Sequence, residues 1–334
     1  MTDPAGQQRP RAAFQAAMAS GALHHAWLLA GPRGIGKATF ARAVALRLLA
    51  EGAGEMLPPG LDVPPGHTRS LVEAGSHPDL RMLARLPKPD KGGGERPSAD
   101  TDLARTITVD QVRSLLPMFA TTPSLSPRRV VVIDAIDDLA KEGANALLKG
   151  LEEPPQGTIF LLVSHQPGRL LPTIRSRCRL LRFDPLDEAV LAGVLTDALP
   201  DASTTEITSL VRAGEGSPGR ALGYAGLDLA ALDASLAGIA ADGDPSNAAR
   251  LKLARELGGR GAEPRYEAFL DRAPAFIAEA ARARTGPALR GALDAYEAAR
   301  TVASAARPLS MVAEPTVFEL AGLVARLARP GALV

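Results

Sequence analysis

The stretch Gly31-Pro-Arg-Gly-Ile-Gly36-Lys37-Ala38-Thr39 decides how this chain is read. It has the spacing G-x-x-x-x-G-K of a phosphate-binding loop, in which backbone N–H groups and a lysine hold phosphates and a following Ser or Thr hydroxyl ligates magnesium. Gly31, Gly34, Ile35, Gly36 and Lys37 supply the cradle, but Ala38 occupies the hydroxyl position. Thr39 comes one residue later, and one residue turns a helical side chain by about 100°, which directs it away from the metal. The loop therefore reads as a site for ATP or ADP with poor magnesium chemistry. Its flanks agree. His25-Ala-Trp27-Leu-Leu-Ala30 is an apolar run of strand length, and Thr39 to Ala50 has helical composition, giving the order strand, glycine turn, helix.

Further strands are predicted at Asp79–Leu83, Arg129–Asp134, Thr158–Val163 and Arg179–Phe183. Near-continuous apolar runs of this kind suit a parallel sheet covered on both faces. Thr108-Val-Asp-Gln111 has the pattern of a capping box, so a helix is expected to begin there and to end or kink at Pro117. Segments 51–76 and 87–102 read as surface loops, the second around the Lys91-Gly-Gly-Gly-Glu95 tract. After Pro185 the chain turns Ala- and Leu-rich. Helices are expected at 187–198, 204–213 and 219–224, then in a group from 247 to 328 punctuated by Pro264, Pro287, Pro308 and Pro315.

With 334 residues, 46% of them hydrophobic and 22% charged, the chain can build two or three domains with a sizeable core. Its 38 basic and 37 acidic side chains nearly cancel, which excludes a global electrostatic footprint for nucleic acid. A single cysteine rules out an intramolecular disulfide framework and fits a reducing cytoplasm. No signal-peptide core or membrane-length apolar run is evident, so a cytoplasmic location is expected. The five histidines show no compact metal-ligand spacing.

Val130-Val-Val-Ile-Asp134 has the form of a second nucleotide motif, an apolar strand ending in an aspartate able to bind magnesium directly or through water. With His25-Ala-Trp27, Gly31–Thr39, His77-Pro-Asp-Leu80, Val109-Asp-Gln-Val-Arg113, Asn145-Ala-Leu-Leu-Lys149, Leu151-Glu-Glu-Pro-Pro155 and Leu171-Pro-Thr-Ile-Arg-Ser-Arg-Cys178, the chain resembles the delta-prime family of bacterial DNA polymerase III clamp-loader subunits. The match is dense over the α/β part and general over the C-terminal helices. The resemblance implies an α/β P-loop AAA+ module with a parallel sheet over 1–186, a helical lid over 187–243 and an all-α C-terminal collar domain over 244–334. No zinc is expected, because Pro58 to His67 stands where some relatives insert a four-cysteine module.

The same resemblance assigns roles. In AAA+ ATPases the residue after the strand-end aspartate is a glutamate that activates water, and here it is Ala135, which cannot accept a proton. Asp137 and Asp138 lie past the strand end and are poor substitutes. Arg177 in Ser176-Arg177-Cys178 becomes the candidate arginine finger, reaching across an interface to ATP held by a neighbouring subunit. Ser164 stands at the γ-phosphate-sensing position, and Arg220 matches the lid arginine that contacts nucleotide. Cys178 reads as a packing residue. The function implied is a noncatalytic subunit of the DNA polymerase III holoenzyme, without ATPase activity of its own, that helps load a sliding clamp on primed DNA. Its implied partners are gamma/tau and delta subunits, and, within the assembly, the sliding clamp and primer-template DNA. The alternative is an active gamma/tau-type ATPase using Lys37, Asp134 and Asp137.

Overall fold

The computed structural model describes residues 6–21, 23–87, 103–307 and 309–328. Most of the segment 87–102, with its glycine tract, lies outside the described residues, as does Pro308. Five strands, β1 (Ala26–Ala30), β2 (Leu80–Ala84), β3 (Arg129–Asp134), β4 (Thr158–Ser164) and β5 (Arg179–Arg182), form one sheet in the order β2-β3-β4-β1-β5. Every neighbouring pair is parallel. The predicted parallel sheet is therefore present, with each strand within about two residues of its expected ends.

Fifteen α-helices accompany the sheet among the described residues. In the first part of the chain these are α1 (Gln8–Ala19), α2 (Lys37–Gly52), α3 (His67–Glu73), α4 (Val109–Arg113), α5 (Leu116–Phe119), α6 (Lys141–Glu152) and α7 (Pro172–Arg175). Then follow α8 (Glu188–Ala198), α9 (Thr204–Gly214), α10 (Pro218–Leu222), α11 (Leu229–Asp242), α12 (Ala248–Gly258), α13 (Glu263–Arg282), α14 (Gly286–Ala306) and α15 (Ala313–Ala325).

The continuous apolar runs arise because both faces of the sheet are buried. Trp27, Leu29, Val130, Val132, Leu161 and Val163 point to one face, where α1 and α2 cover them with Phe14, Phe40, Val44 and Leu48. Leu28, Val131, Ile133, Phe160 and Leu162 point to the other, against Val112, Met118, Leu147, Leu151 and Ile174. This is the period-2 alternation of a strand with neither face left to water. Phe14 stands 4.8 Å from the Trp27 ring and 5.9 Å from that of Phe40, so α1, which the sequence pattern did not reveal, closes the first face.

The capping box at Thr108 is present: its hydroxyl accepts from the Gln111 N–H, and the Gln111 side chain accepts from the Thr108 N–H. The helix ends at Arg113, before Pro117, which instead opens α5. A proline in the first turn removes an N–H that has no helical partner anyway. The reading of 51–76 as a surface loop needs correction. Leu61, Val63 and Thr68 are buried, α3 begins at His67, and the Glu55 carboxylate accepts from the Thr68 N–H at 3.1 Å. The prolines of that segment break regular structure without preventing it from packing.

The chain folds into two compact units, residues 1–194 with 215–220 and residues 195–214 with 221–334. The second unit is helical, with Leu232, Leu236, Ile239, Leu257, Phe269 and Leu320 in its core. Arg272, only 2% exposed, is satisfied there by Asp233 and Glu279, and Arg212 adds a second guanidinium to Glu279. Pro264 and Pro287 sit in the first turns of α13 and α14 and so start these helices.

Candidate functional site

Sheet register assembles the candidate site at the carboxyl ends of the strands, where ligands of open α/β sheets bind. Ala30 pairs with Ser164, and Asp134 with Val163, so the loop after β1 and the ends of β3 and β4 meet at one edge. The Gly31 N–H donates to the Ser164 carbonyl at 3.3 Å. Gly34 and Gly36 have φ of +71° and +96°, the left-handed turns that allow the loop to enter α2 at Lys37. Ile35 is buried in the core and anchors the loop from below, with Gln7 donating towards its carbonyl at 3.5 Å.

Lys37 is 2% exposed, and its Nζ donates to the Gly31 carbonyl at 2.7 Å and to that of Pro32. Burial lowers its pKa to about 8, against the opposing pull of Asp134 and Asp137. Thus the ammonium that would meet a phosphate is turned onto loop carbonyl oxygens. The loop tip is also fastened. Ser217 Oγ donates to the Arg33 carbonyl at 2.8 Å and the Gly219 N–H to the Gly34 carbonyl at 2.8 Å. A Cβ on Gly219 would lie 2.8 Å from the Gly34 Cα, and one on Gly34 would lie 2.5 Å from Ser217 Oγ. Two facing glycines permit this approach.

The acidic residues divide sharply. Asp134 ends β3, and burial raises its pKa despite nearby Arg42 and Lys37. Asp137 accepts from Ser164 Oγ at 3.0 Å, His165 N at 2.7 Å and Gln166 N at 3.0 Å. Asp138 pairs with Arg85 at 3.1 Å. A carboxylate holding three donors is a brace between β3 and β4, poorly placed to take a proton from water. Ala38 follows Lys37 in the first turn of α2, and Thr39 is exposed. Helix N-terminus, glycines and lysine fit the phosphates of a nucleotide, whereas Ala38 leaves Asp134 as the single predicted magnesium ligand and Ala135 supplies no base.

Ser164 is completely buried with its hydroxyl on Asp137, and Arg220 pairs through Nη1 with Glu215 at 2.6 Å. Both lie near the loop, yet each has a partner of its own. His165 Nδ1 is enclosed without a hydrogen-bond partner, and burial, with Lys37 and Arg33, lowers the ring's pKa to about 4. An open cleft of about 980 Å³ runs from Gly31 and Pro32 past His165 to Arg175, Ser176 and Arg182.

Arg177 stands apart from these residues, just after α7. Its Nη1 donates to the Thr173 carbonyl at 2.8 Å and its Nη2 meets Glu152 Oε1 at 2.7 Å, with 34% of the side chain exposed. Cys178 packs on the second face of the sheet, where burial pushes its thiol up to about 12, so it stays protonated. Sequence reasoning did not foresee the Asp137 brace, the Ser217–Gly219 fastening or the Glu152 contact. The first two join residues 27 or more positions apart, largely through backbone groups, which leave no mark on side-chain pattern.

The family model described as "DNA polymerase III, delta subunit" matches residues 6–187, covering the sheet, the loop and Arg177. The chain belongs to the delta-prime clamp-loader family. It is 39% identical to the DNA polymerase III subunit delta' of Pseudomonas aeruginosa over 197 residues, 58% of this chain and 53% of that one. With the delta' subunit of Escherichia coli it shares 34% over 205 residues, 61% of this chain and 55% of the other. The tau subunit of Escherichia coli is 31% identical over 219 residues, 64% of this chain and 31% of that protein. The chain thus spans about half the length of the delta-prime relatives it matches, and delta-prime is the clamp-loader type it resembles most. Among the described residues no helix is long and apolar enough to cross a membrane.

Proposed function

We propose that the chain works as a noncatalytic delta-prime subunit that presents Arg177 to ATP held by a neighbouring clamp-loader subunit. What carries this reading is a contrast within one domain: Arg177 holds its guanidinium at the surface, while the chain's own loop runs into Ala38, and β3 into Ala135 and an Asp137 already engaged by three donors. A guanidinium beside a γ-phosphate offsets the charge of the transition state. The loop can take ATP or ADP only after Lys37 leaves the carbonyls of Gly31 and Pro32, and without a good magnesium site.

The proposed partners are gamma/tau and delta subunits, with the sliding clamp and primer-template DNA joining in the assembled loader, in the cytoplasm. In this reading residues 187–243 serve as a lid and 244–334 as a collar that joins the ring. Reconstitution with the other loader subunits, comparing wild type with Arg177→Ala, tests it. Normal assembly with impaired turnover by the neighbour is expected; unchanged turnover in an assembled ring refutes the finger. The gamma/tau-type alternative requires the purified chain to hydrolyse ATP, with turnover stimulated by DNA and abolished by Lys37→Ala. No such turnover is expected.

A further inference from the structure

Arg177 is tied to its own subunit at both terminal nitrogens, and the two ties differ in kind. Nη1 donates to neutral oxygens, the Thr173 carbonyl and, at 3.5 Å, Ser176 Oγ, and Nη2 to the carboxylate of Glu152, which is charged. Each mount is rigid. Glu152 is the last residue of α6, next to Leu151, which is 1% exposed and whose carbonyl lies 3.1 Å from His25 Nε2. Thr173 adjoins Ile174, which is also 1% exposed and whose carbonyl accepts from the Arg177 N–H at 3.2 Å. Two buried aliphatic anchors, Leu151 beside Glu152 and Ile174 one turn before Arg177, therefore set a carboxylate and a guanidinium against each other across 25 positions of sequence, at the surface.

We propose that Glu152 is the resting counter-ion of Arg177, holding the guanidinium neutralised until an anion on an adjacent chain takes its place. The inference rests on the reading of Arg177 as a finger. A phosphate oxygen arriving at Nη2 meets a carboxylate a few ångströms away, and like charges at that range repel. Arg177 must then share or exchange its partner. With 34% and 47% of the two side chains exposed, the pair is of the solvent-screened kind, weak enough to exchange readily. Such a tie lowers the neighbour's apparent affinity for ATP and suppresses capture of other anions by the unassembled subunit.

Loaders reconstituted with wild type, Glu152→Gln, Glu152→Ala, Arg177→Ala or the Glu152→Gln/Arg177→Ala pair test this through the neighbour's steady-state ATP kinetics. Glutamine keeps an oxygen acceptor for Nη2 and removes only the charge. Glu152→Gln is expected to raise kcat/KM about two- to fivefold, mainly through a lower KM, matching the range of exposed ion pairs. The gain should shrink as salt screens the pair, and should vanish in the Arg177→Ala background. If Arg177→Ala slows the neighbour while Glu152→Gln behaves as wild type, the finger stands and the counter-ion is refuted. If Glu152→Ala raises KM while Glu152→Gln does not, Glu152 supports the arginine by its hydrogen bond alone, and the proposal also falls. No effect of Arg177→Ala removes the finger reading itself, and this inference with it.

Discussion

The phosphate loop and the arginine turn lie in the same compact unit, yet their polar groups find partners in opposite directions. Lys37, Ser164 and Asp137 turn inward, satisfied by carbonyls, a hydroxyl and backbone N–H groups of their own chain. Arg177 stays at the surface, with its one ionic tie to a half-exposed carboxylate. Buried polar groups that are fully satisfied stiffen a structure, while a screened surface pair is easily exchanged. The difference teaches that one compact unit can turn some polar groups into internal braces and leave others exchangeable at its surface.

The largest effect should come from the rim. Arg177→Ala in an assembled loader is expected to slow ATP turnover at the neighbouring site by up to about 10³–10⁵-fold, the range of trans-acting arginines, while leaving this chain's melting temperature unchanged. The inward side should respond in stability instead. Asp137→Asn presents an amide to groups that now donate to a carboxylate, and a loss of about 3 kcal/mol in chemical denaturation is expected. A loss below about 0.5 kcal/mol, in the range of ordinary surface substitutions, would show that Asp137 is no brace.

Gly219→Ala brings a methyl 2.8 Å from the Gly34 Cα, so overpacking of about 1–3 kcal/mol should appear in the same measurement. Neighbour turnover should hold, because Arg177 is not touched. Acid sharpens the contrast further. His165 has a folded pKa of about 4 against about 6.5 unfolded, so the unfolded chain binds more protons between these values and stability falls as pH drops through that window. His77, also lowered chiefly by burial, acts in the same direction. His165→Gln should flatten the acid limb measured by denaturation at stepped pH; an unchanged slope would assign the limb elsewhere. The smallest effect is expected from Lys37→Ala, which should change neighbour turnover less than about twofold, since the loop lysine sets no charge on the adjoining nucleotide.

Much of the first unit was legible from residues alone. Glycine spacing at 31–37, apolar strand runs and the Thr108–Gln111 box are local signals, and local signals survive in one dimension. Helix α11 was equally legible and was missed: Asp228 caps it, and Leu229, Leu232, Leu236 and Ile239 repeat at helical spacing. Helix α1 gave less warning, since its apolar face rests chiefly on Phe14 and Ala17. In segment 51–76 the prolines mask Leu61 and Val63, whose burial depends on α2 residues packed in the same clusters.

What the sequence determined by itself was the set of chemical means: a glycine turn with the spacing of a phosphate loop, one strand-end aspartate, no hydroxyl at 38, no carboxylate at 135 and an arginine before Cys178. Whether those means face ligand, solvent or one another was decided by tertiary structure. Sheet register brought Ser164 and His165 to Asp137, the close pass of Gly219 over Gly34 fastened the loop, and the packing of Leu151 and Ile174 set Glu152 against Arg177. Such partnerships depend on distances between groups far apart in the chain, and only the folded backbone fixes those distances.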